Sequence, residues 1–119
     1  MLPKKNRLLK SEDFKNTSSQ GSYFSFQNLS LKFKKNTLLY SRIGFSIGKT
    51  LSPKAVERNR VKRVLRESFR QFLPEIVPGF DIVVYFKRDN QSNVLIDSSK
   101  TVERIEILLI KTKLFNIKK

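Results

Sequence analysis

Neither cysteine nor histidine occurs among the 119 residues. The first absence excludes disulfide frameworks, thiolate zinc sites and cysteine nucleophiles. The second removes the commonest general base and the commonest metal ligand, and few single-chain enzyme mechanisms survive both losses. Acids are also scarce: ten Asp and Glu stand against 25 Lys and Arg, for a net charge of +15. No segment approaches the roughly 18–20 apolar residues that a membrane-spanning helix needs. The basic opening stretch, Met1–Lys10, leads into Ser11-Glu12-Asp13 rather than an apolar run with a small-residue cleavage site. That pattern argues against a signal peptide and leaves a soluble, cytoplasmic protein as the expectation.

Against these absences stand ten Phe and a hydrophobic share of 39%. A disordered basic tail carries far less apolar side chain than this. The length suits one domain with a real core, spanning 1–119, with a basic arm at 1–10 and a basic tail at 116–119. A charge of +15 on so small a body implies a polyanionic partner, because its self-repulsion must be offset. Nucleic acid is the foremost polyanion, and an anionic membrane surface is its rival.

The chain reads as α-β-β-β-α-β-α, a single small α+β domain with helices packed on a sheet of about four strands. Ser11 is the expected N-cap of a first helix, with Glu12 and Asp13 in its first turn. The polar run Asn16–Gly21 predicts that this helix is short. Alternation from Tyr23 to Phe33 slips between Phe26 and Leu29, which predicts two short strands or a bulge. Lys34-Lys35-Asn36 is a turn candidate, and Leu39–Ile47 a strand with Ile43, Phe45 and Ile47 inward. Lys54–Leu73 is the strongest helix, closed by Pro74 and Pro78-Gly79. Phe80–Phe86 has the composition of a buried strand. Asp89–Asn93 is a loop, and a last helix begins near Ser98 or Ser99 and reaches about Phe115. Its apolar side is Val102, Ile105, Leu108, Leu109 and Ile110.

The long helix carries the charge. Six basic side chains and a single acid, Glu67, lie between Arg58 and Arg70. At about 100° per residue, Val61, Val64, Leu65, Phe69 and Phe72 form an apolar arc. Lys62, Arg63, Arg66 and Arg70, with Asn59 among them, lie opposite, while Arg58 and Arg60 flank the arc. A solvated face normally mixes signs to gain i,i+4 pairs. Here Lys62, Arg66 and Arg70 are like-charged i,i+4 neighbours, a costly arrangement unless an anion binds. Arg also predominates over Lys in this helix, and its planar fork suits phosphate and base stacking. Charge alone leaves RNA and DNA open. Tyr23, Phe24, Phe26, Phe33, Tyr40, Phe45 and Phe14 are candidates for stacking on unpaired bases, although most must serve the core.

The run Arg58-Asn59-Arg60-Val61-Lys62-Arg63-Val64-Leu65-Arg66 matches without departure an R-N-R-x-K-R-x-x-R helix. By it the chain resembles the protein subunit of bacterial ribonuclease P. Asn6-Arg7-Leu8 followed by Glu12-Asp13-Phe14 is similar to that family's arm and first helix. Gly44–Lys49 is similar to its strand and Lys-bearing turn. The resemblance implies a left-handed β-α-β crossover (the ribosomal-protein S5 domain 2-like fold), where general topology rules favour the opposite hand. It also implies a protein that assists a catalytic RNA in removing the 5′ leader of precursor tRNA, with Mg²⁺ held by RNA and substrate rather than by the protein. The implied partners are that RNA, at a 1:1 ratio, and precursor tRNA, with neither DNA nor membrane.

Residue by residue, the resemblance carries RNA contact to Arg58, Asn59, Arg60, Lys62, Arg63 and Arg66. Arg70, Lys49, Lys5 and Arg7 join them as basic candidates. Phe14 becomes a wall of a leader cleft between the first helix and the sheet. One departure stands out: where the family has a second ring four residues after Phe14, this chain has Ser18. The first helix therefore ends early, or fewer rings grip the leader with Phe26 or Phe33 substituting. Two other functions share much of this evidence. One is a non-catalytic ribosome- or rRNA-associated RNA-binding protein. The other is a metal-dependent nuclease using carboxylates, disfavoured because only Glu12-Asp13 and Glu103/Glu106 stand close in sequence.

Overall fold

The computed structural model describes residues 3–48, 51–87 and 96–115. Lys49, the loop at Asp89–Asn93 and the tail at 116–119 lie outside them. The order is α1 (Ser11–Gln20), β1 (Ser22–Phe26), β2 (Leu29–Lys35), β3 (Arg42–Ser46), α2 (Ala55–Arg70), β4 (Phe80–Phe86) and α3 (Ser98–Lys111). The strands form one sheet in the order β1-β2-β4-β3. β1–β2 and β2–β4 are antiparallel, whereas β3–β4 is parallel and joined through α2, the expected β-α-β crossover.

The slip between Phe26 and Leu29 is a two-residue turn, with Gln27 at φ 57°. Asn28 ties it down: its amide donates to the Lys87 carbonyl at 3.1 Å and accepts from Arg104 at 2.6 Å. Beyond the turn, period-2 alternation places Leu29, Leu31 and Phe33 on one face with Ile82, Val84 and Phe86 of β4. α2 and α3 cover that face. Val61, Leu65 and Phe69 of α2 and Ile105, Leu108 and Leu109 of α3 are fully buried against it. Each such side chain contributes about 1.5–3 kcal/mol by leaving water. Ile110, expected on this apolar side, is instead 48% exposed.

Three local expectations are corrected. Lys10, not Ser11, occupies the N-cap of α1, and no side chain caps it. Nor does α1 end early, since Asn16–Gln20 is helical. The hydroxyls of Thr17 and Ser19 donate to carbonyls four residues back, at 2.9 Å each, so the polar side chains are satisfied without leaving the helix. The third strand is shorter than Leu39–Ile47, and Leu39 stands 94% exposed ahead of it.

The opposite face of the sheet carries α1, fastened mainly by polar contacts. Ser18 Oγ and the Tyr85 hydroxyl share a hydrogen bond of 2.6 Å. Lys32 Nζ donates to the Ser18 carbonyl at 2.8 Å, and Lys34 Nζ to Gln20 Oε1 at 2.6 Å. Arg42 bridges Asp13 of α1 and Asp81 of β4. The basic arm is docked rather than loose over its described part. Asn6 and Leu8 are buried, Asn6 Nδ2 donates to the Ser41 carbonyl at 2.8 Å, and Leu8 N–H donates to the Ile43 carbonyl at 3.0 Å.

Candidate nucleic-acid interface

Ser52 organises the start of the basic helix. Its Oγ bonds Glu57 Oε1 at 2.5 Å and accepts the Lys54 N–H at 3.2 Å, while its carbonyl accepts Arg58 Nη1 at 2.9 Å. Arg58 therefore spends part of its fork on its own helix terminus, and Glu57 sits in the first turn where the helix dipole favours an anion. One turn further on, Asn59, Arg60 and Arg63 are exposed, with Arg70 exposed at the helix end. Arg70 lies 3.7 Å from Glu67, a loose surface pair.

The basic side of α2 opens onto two different surfaces. Lys62 and Arg66 are half-buried and line a cleft of about 210 Å³ around the edge of β3. Its other walls are Arg7, Leu8 and Leu9 of the arm, Phe14 of α1, and Ile43, Gly44 and Phe45 of β3. Arg63 belongs to a second depression, between α2 and α3, with Glu67, Gln71 and Ser98. The first cleft joins three cations to an aromatic ring and an exposed Leu9, a lining suited to a phosphate backbone beside an unstacked base.

Phe14 owes its seat to Gly44. A Cβ at residue 44 would sit 2.3 Å from Phe14 Cζ and 3.0 Å from Leu8 Cβ. Gly44→Ala is therefore expected to push the ring and α1 outward, at a cost of about 1–3 kcal/mol from overpacking. Thermal melts of wild type and variant check the cost, and ring-proton shifts of Phe14 by NMR check the displacement.

The three rings expected to line the leader cleft are not brought together. Phe14 is on the α1 side. Phe33 points to the helix-covered face, stacked on Phe24 at 5.9 Å and edge-on to Phe80 at 6.1 Å. Phe26 pairs in register with Leu29 on that same face, with Lys111 Nζ 5.5 Å from its ring. Strand alternation forces this, because β2 puts Phe33 in phase with Leu29 and Leu31. On the α1 face the position opposite Ser18 is held by Tyr85, with Lys32 Nζ 5.9 Å from its ring. In the sequence, Tyr85 reads only as part of a buried strand. Its odd phase relative to Ile82 and Val84 was the available signal.

Lys5 is exposed, with its Nζ 5.5 Å from the Tyr40 ring. Arg7 is half-buried and forms a parallel bridge to Ile43. At the far edge of the sheet, in β1, the Tyr23 hydroxyl donates to Ser30 Oγ at 3.2 Å. Among the described residues no group of three or more acids gathers as a metal site. Asp13 and Asp81 are both committed to Arg42. No helix among the described residues is long and apolar enough to cross a membrane.

A four-stranded mixed sheet with a basic crossover helix, an apolar core on one face and a cation-lined cleft at its parallel edge defines a small polyanion-binding α+β protein. The family model "Ribonuclease P" matches residues 2–111. A ribonuclease P protein component of a Pseudanabaena species is 46% identical over 86 residues, covering 71% of this chain and 73% of that protein. A Picosynechococcus ribonuclease P protein component is 33% identical over 115 residues, covering 97% of each. The solved structure of the Staphylococcus aureus ribonuclease P protein superposes with a TM-score of 0.79 at 27% identity, over 93% of this chain and 98% of that one. The chain belongs to the family of bacterial ribonuclease P protein subunits.

Proposed function

We propose that this chain is the RNA-binding subunit of a ribonuclease P holoenzyme that removes the 5′ leader from precursor tRNA, with the chemistry on the RNA. The observation that carries the reading is the placement of Lys62 and Arg66 on the same cleft as Phe14 and Arg7. One helix then serves two RNA surfaces. Its exposed residues Asn59, Arg60 and Arg63, with the half-buried Arg66 at their border, meet the folded catalytic RNA. Lys62 and Arg66 neutralise the phosphates of a leader strand lying along the β3 edge, with a base against Phe14. Tyr85 and Lys32 extend that path under α1, where Ser18 replaces a ring.

Among the described residues no three acids gather as a metal site, and the bond-breaking step is assigned to the RNA. Mg²⁺ belongs to the catalytic RNA and its substrate, where it supplies the Lewis acidity and the activated water of phosphodiester hydrolysis. The protein's contribution is positional and electrostatic. It holds the leader and lowers the repulsion between two polyanions, which matters most when Mg²⁺ is scarce. One protein per catalytic RNA satisfies this arrangement, in the cytoplasm where precursor tRNA is made.

The test is a leader-cleavage assay at low Mg²⁺ with protein alone, a cognate catalytic RNA alone, and both. Cleavage is expected only with both. Cleavage by the protein alone would move the chemistry onto its carboxylates. No effect of the protein on a competent RNA would favour a ribosome-associated RNA-binding role.

A further inference from the structure

From Asn16 to Leu31 the chain runs sixteen residues without a charged side chain, although 29% of all its residues are charged. That stretch contains the whole of β1, the outermost strand of the sheet. Among the described residues no strand pairs with its outer edge. Four of its five residues are exposed, Tyr23 at 56% and Phe24 at 39%. Edge strands of stable monomers are guarded by lysine, proline or a bulge, because a bare row of N–H and C=O groups templates another chain. β1 reads Ser-Tyr-Phe-Ser-Phe in unbroken register with β2 and carries none of these guards.

We propose that β1 is a self-association edge, across which two copies pair antiparallel about a two-fold axis through Phe24 into one continuous sheet. A two-fold pairing uses the same patch on both copies and closes on itself. Centred on Phe24, it sets Tyr23 opposite Ser25 of the second copy and Ser22 opposite Phe26 of the second copy. A large ring meets a small hydroxyl side chain on each face of the sheet, and the two Phe24 rings meet on the axis.

Charge selects a second copy over other occupants. Two bodies of +15 repel, and an uncharged strand is where they approach with least local opposition. The lysines of the neighbouring strand, Lys32 and Lys34, are drawn toward α1 by their bonds to Ser18 and Gln20. The strand's own side chains offer RNA phosphates no cation, the neighbouring Lys111 Nζ lies over the Phe26 ring on the helix-covered face, and RNA would leave the backbone edge unpaired.

Sedimentation velocity on the full chain tests this in about 0.5 M salt, where the screening length falls to about 4 Å. The mass is expected to rise with concentration from 13.9 kDa to twice that value. Ser25→Lys, at an exposed position, and Phe24→Lys, on the axis, are each expected to hold the chain at monomer mass. Melting curves identify any variant that fails by unfolding. A wild type that stays monomeric throughout overturns the proposal, as does a dimer that both variants leave intact. A monomeric wild type whose variants bind a single-stranded RNA oligonucleotide more weakly would assign the edge to RNA instead.

Discussion

Replacing both Arg63 and Arg66 by Ala is expected to weaken binding of the catalytic RNA by about two to four orders of magnitude, since a charge-assisted hydrogen bond contributes about 1.5–3 kcal/mol. Neither guanidinium makes an ion pair within the described chain, so the fold does not depend on them. Loss of Arg66 removes i,i+4 repulsion with Lys62 and Arg70, loss of Arg63 removes an i,i+4 attraction to Glu67, and thermal stability should change little. The slope of log affinity against log salt should fall by about 1.4–1.8 for the pair, at roughly 0.7–0.9 per phosphate contact. A filter-binding series in KCl with each single variant measures both quantities. The single variants should differ in kind. Arg66 lines the cleft with Phe14, so Arg66→Ala should also lower the affinity of the RNA–protein complex for leader-bearing tRNA. Arg63 faces the depression between α2 and α3, so Arg63→Ala should not. Unchanged salt slopes in both would remove α2 from the RNA interface.

Sequence periodicity located the main elements because burial is one-sided throughout this sheet. β4 matched Phe80–Phe86 at both ends, and the phase slip after Phe26 resolved into a hairpin turn. The apolar arc of α2 was legible for the same reason, since a single helix face meets the core and Val61, Leu65 and Phe69 are fully buried. Two kinds of feature escaped. Polar residues that satisfy one another locally look like breakers, so Asn16–Gln20 read as the end of a helix it in fact completes. The face of a strand ring is a tertiary property, so Phe33 and Phe26 read as cleft walls although their strand phase sends them to the core face. The cleft itself depends on Gly44 leaving room for Phe14, a contact thirty residues apart in sequence that no local pattern encodes. The anchoring of α1 was equally hidden, because Asp13, Arg42 and Asp81 come from three separate elements.

Removing that anchor should give a large loss of stability for a single polar substitution. Arg42 grips Asp81 with two parallel bonds, Nε to Oδ1 at 2.9 Å and Nη2 to Oδ2 at 2.7 Å, and reaches Asp13 Oδ2 with Nη1 at 3.2 Å. The hydrogen bond to Asp81 pushes the guanidinium's pKa up from its ordinary value, so it is charged at every working pH. Arg42→Met keeps the stem and removes the fork, leaving Asp81, 8% exposed, with Asn36 Nδ2 as its remaining side-chain donor. Stranding a buried carboxylate in this way costs about 3–5 kcal/mol, which for a domain of this size lowers Tm by about 10–20 °C. Adding Asp81→Asn removes the stranded charge, and the double variant should recover more than half of that loss. The surviving deficit then reports on α1. Without Arg42, Asp13 no longer ties the first turn of that helix to β3, and Phe14 loses its fixed seat over Gly44. In the double variant, leader affinity should stay low while the salt slope for the catalytic RNA, set by α2, stays at its wild-type value. Recovery of leader affinity along with stability would mean that the Asp13 bond does not position α1, and that the network serves only the core.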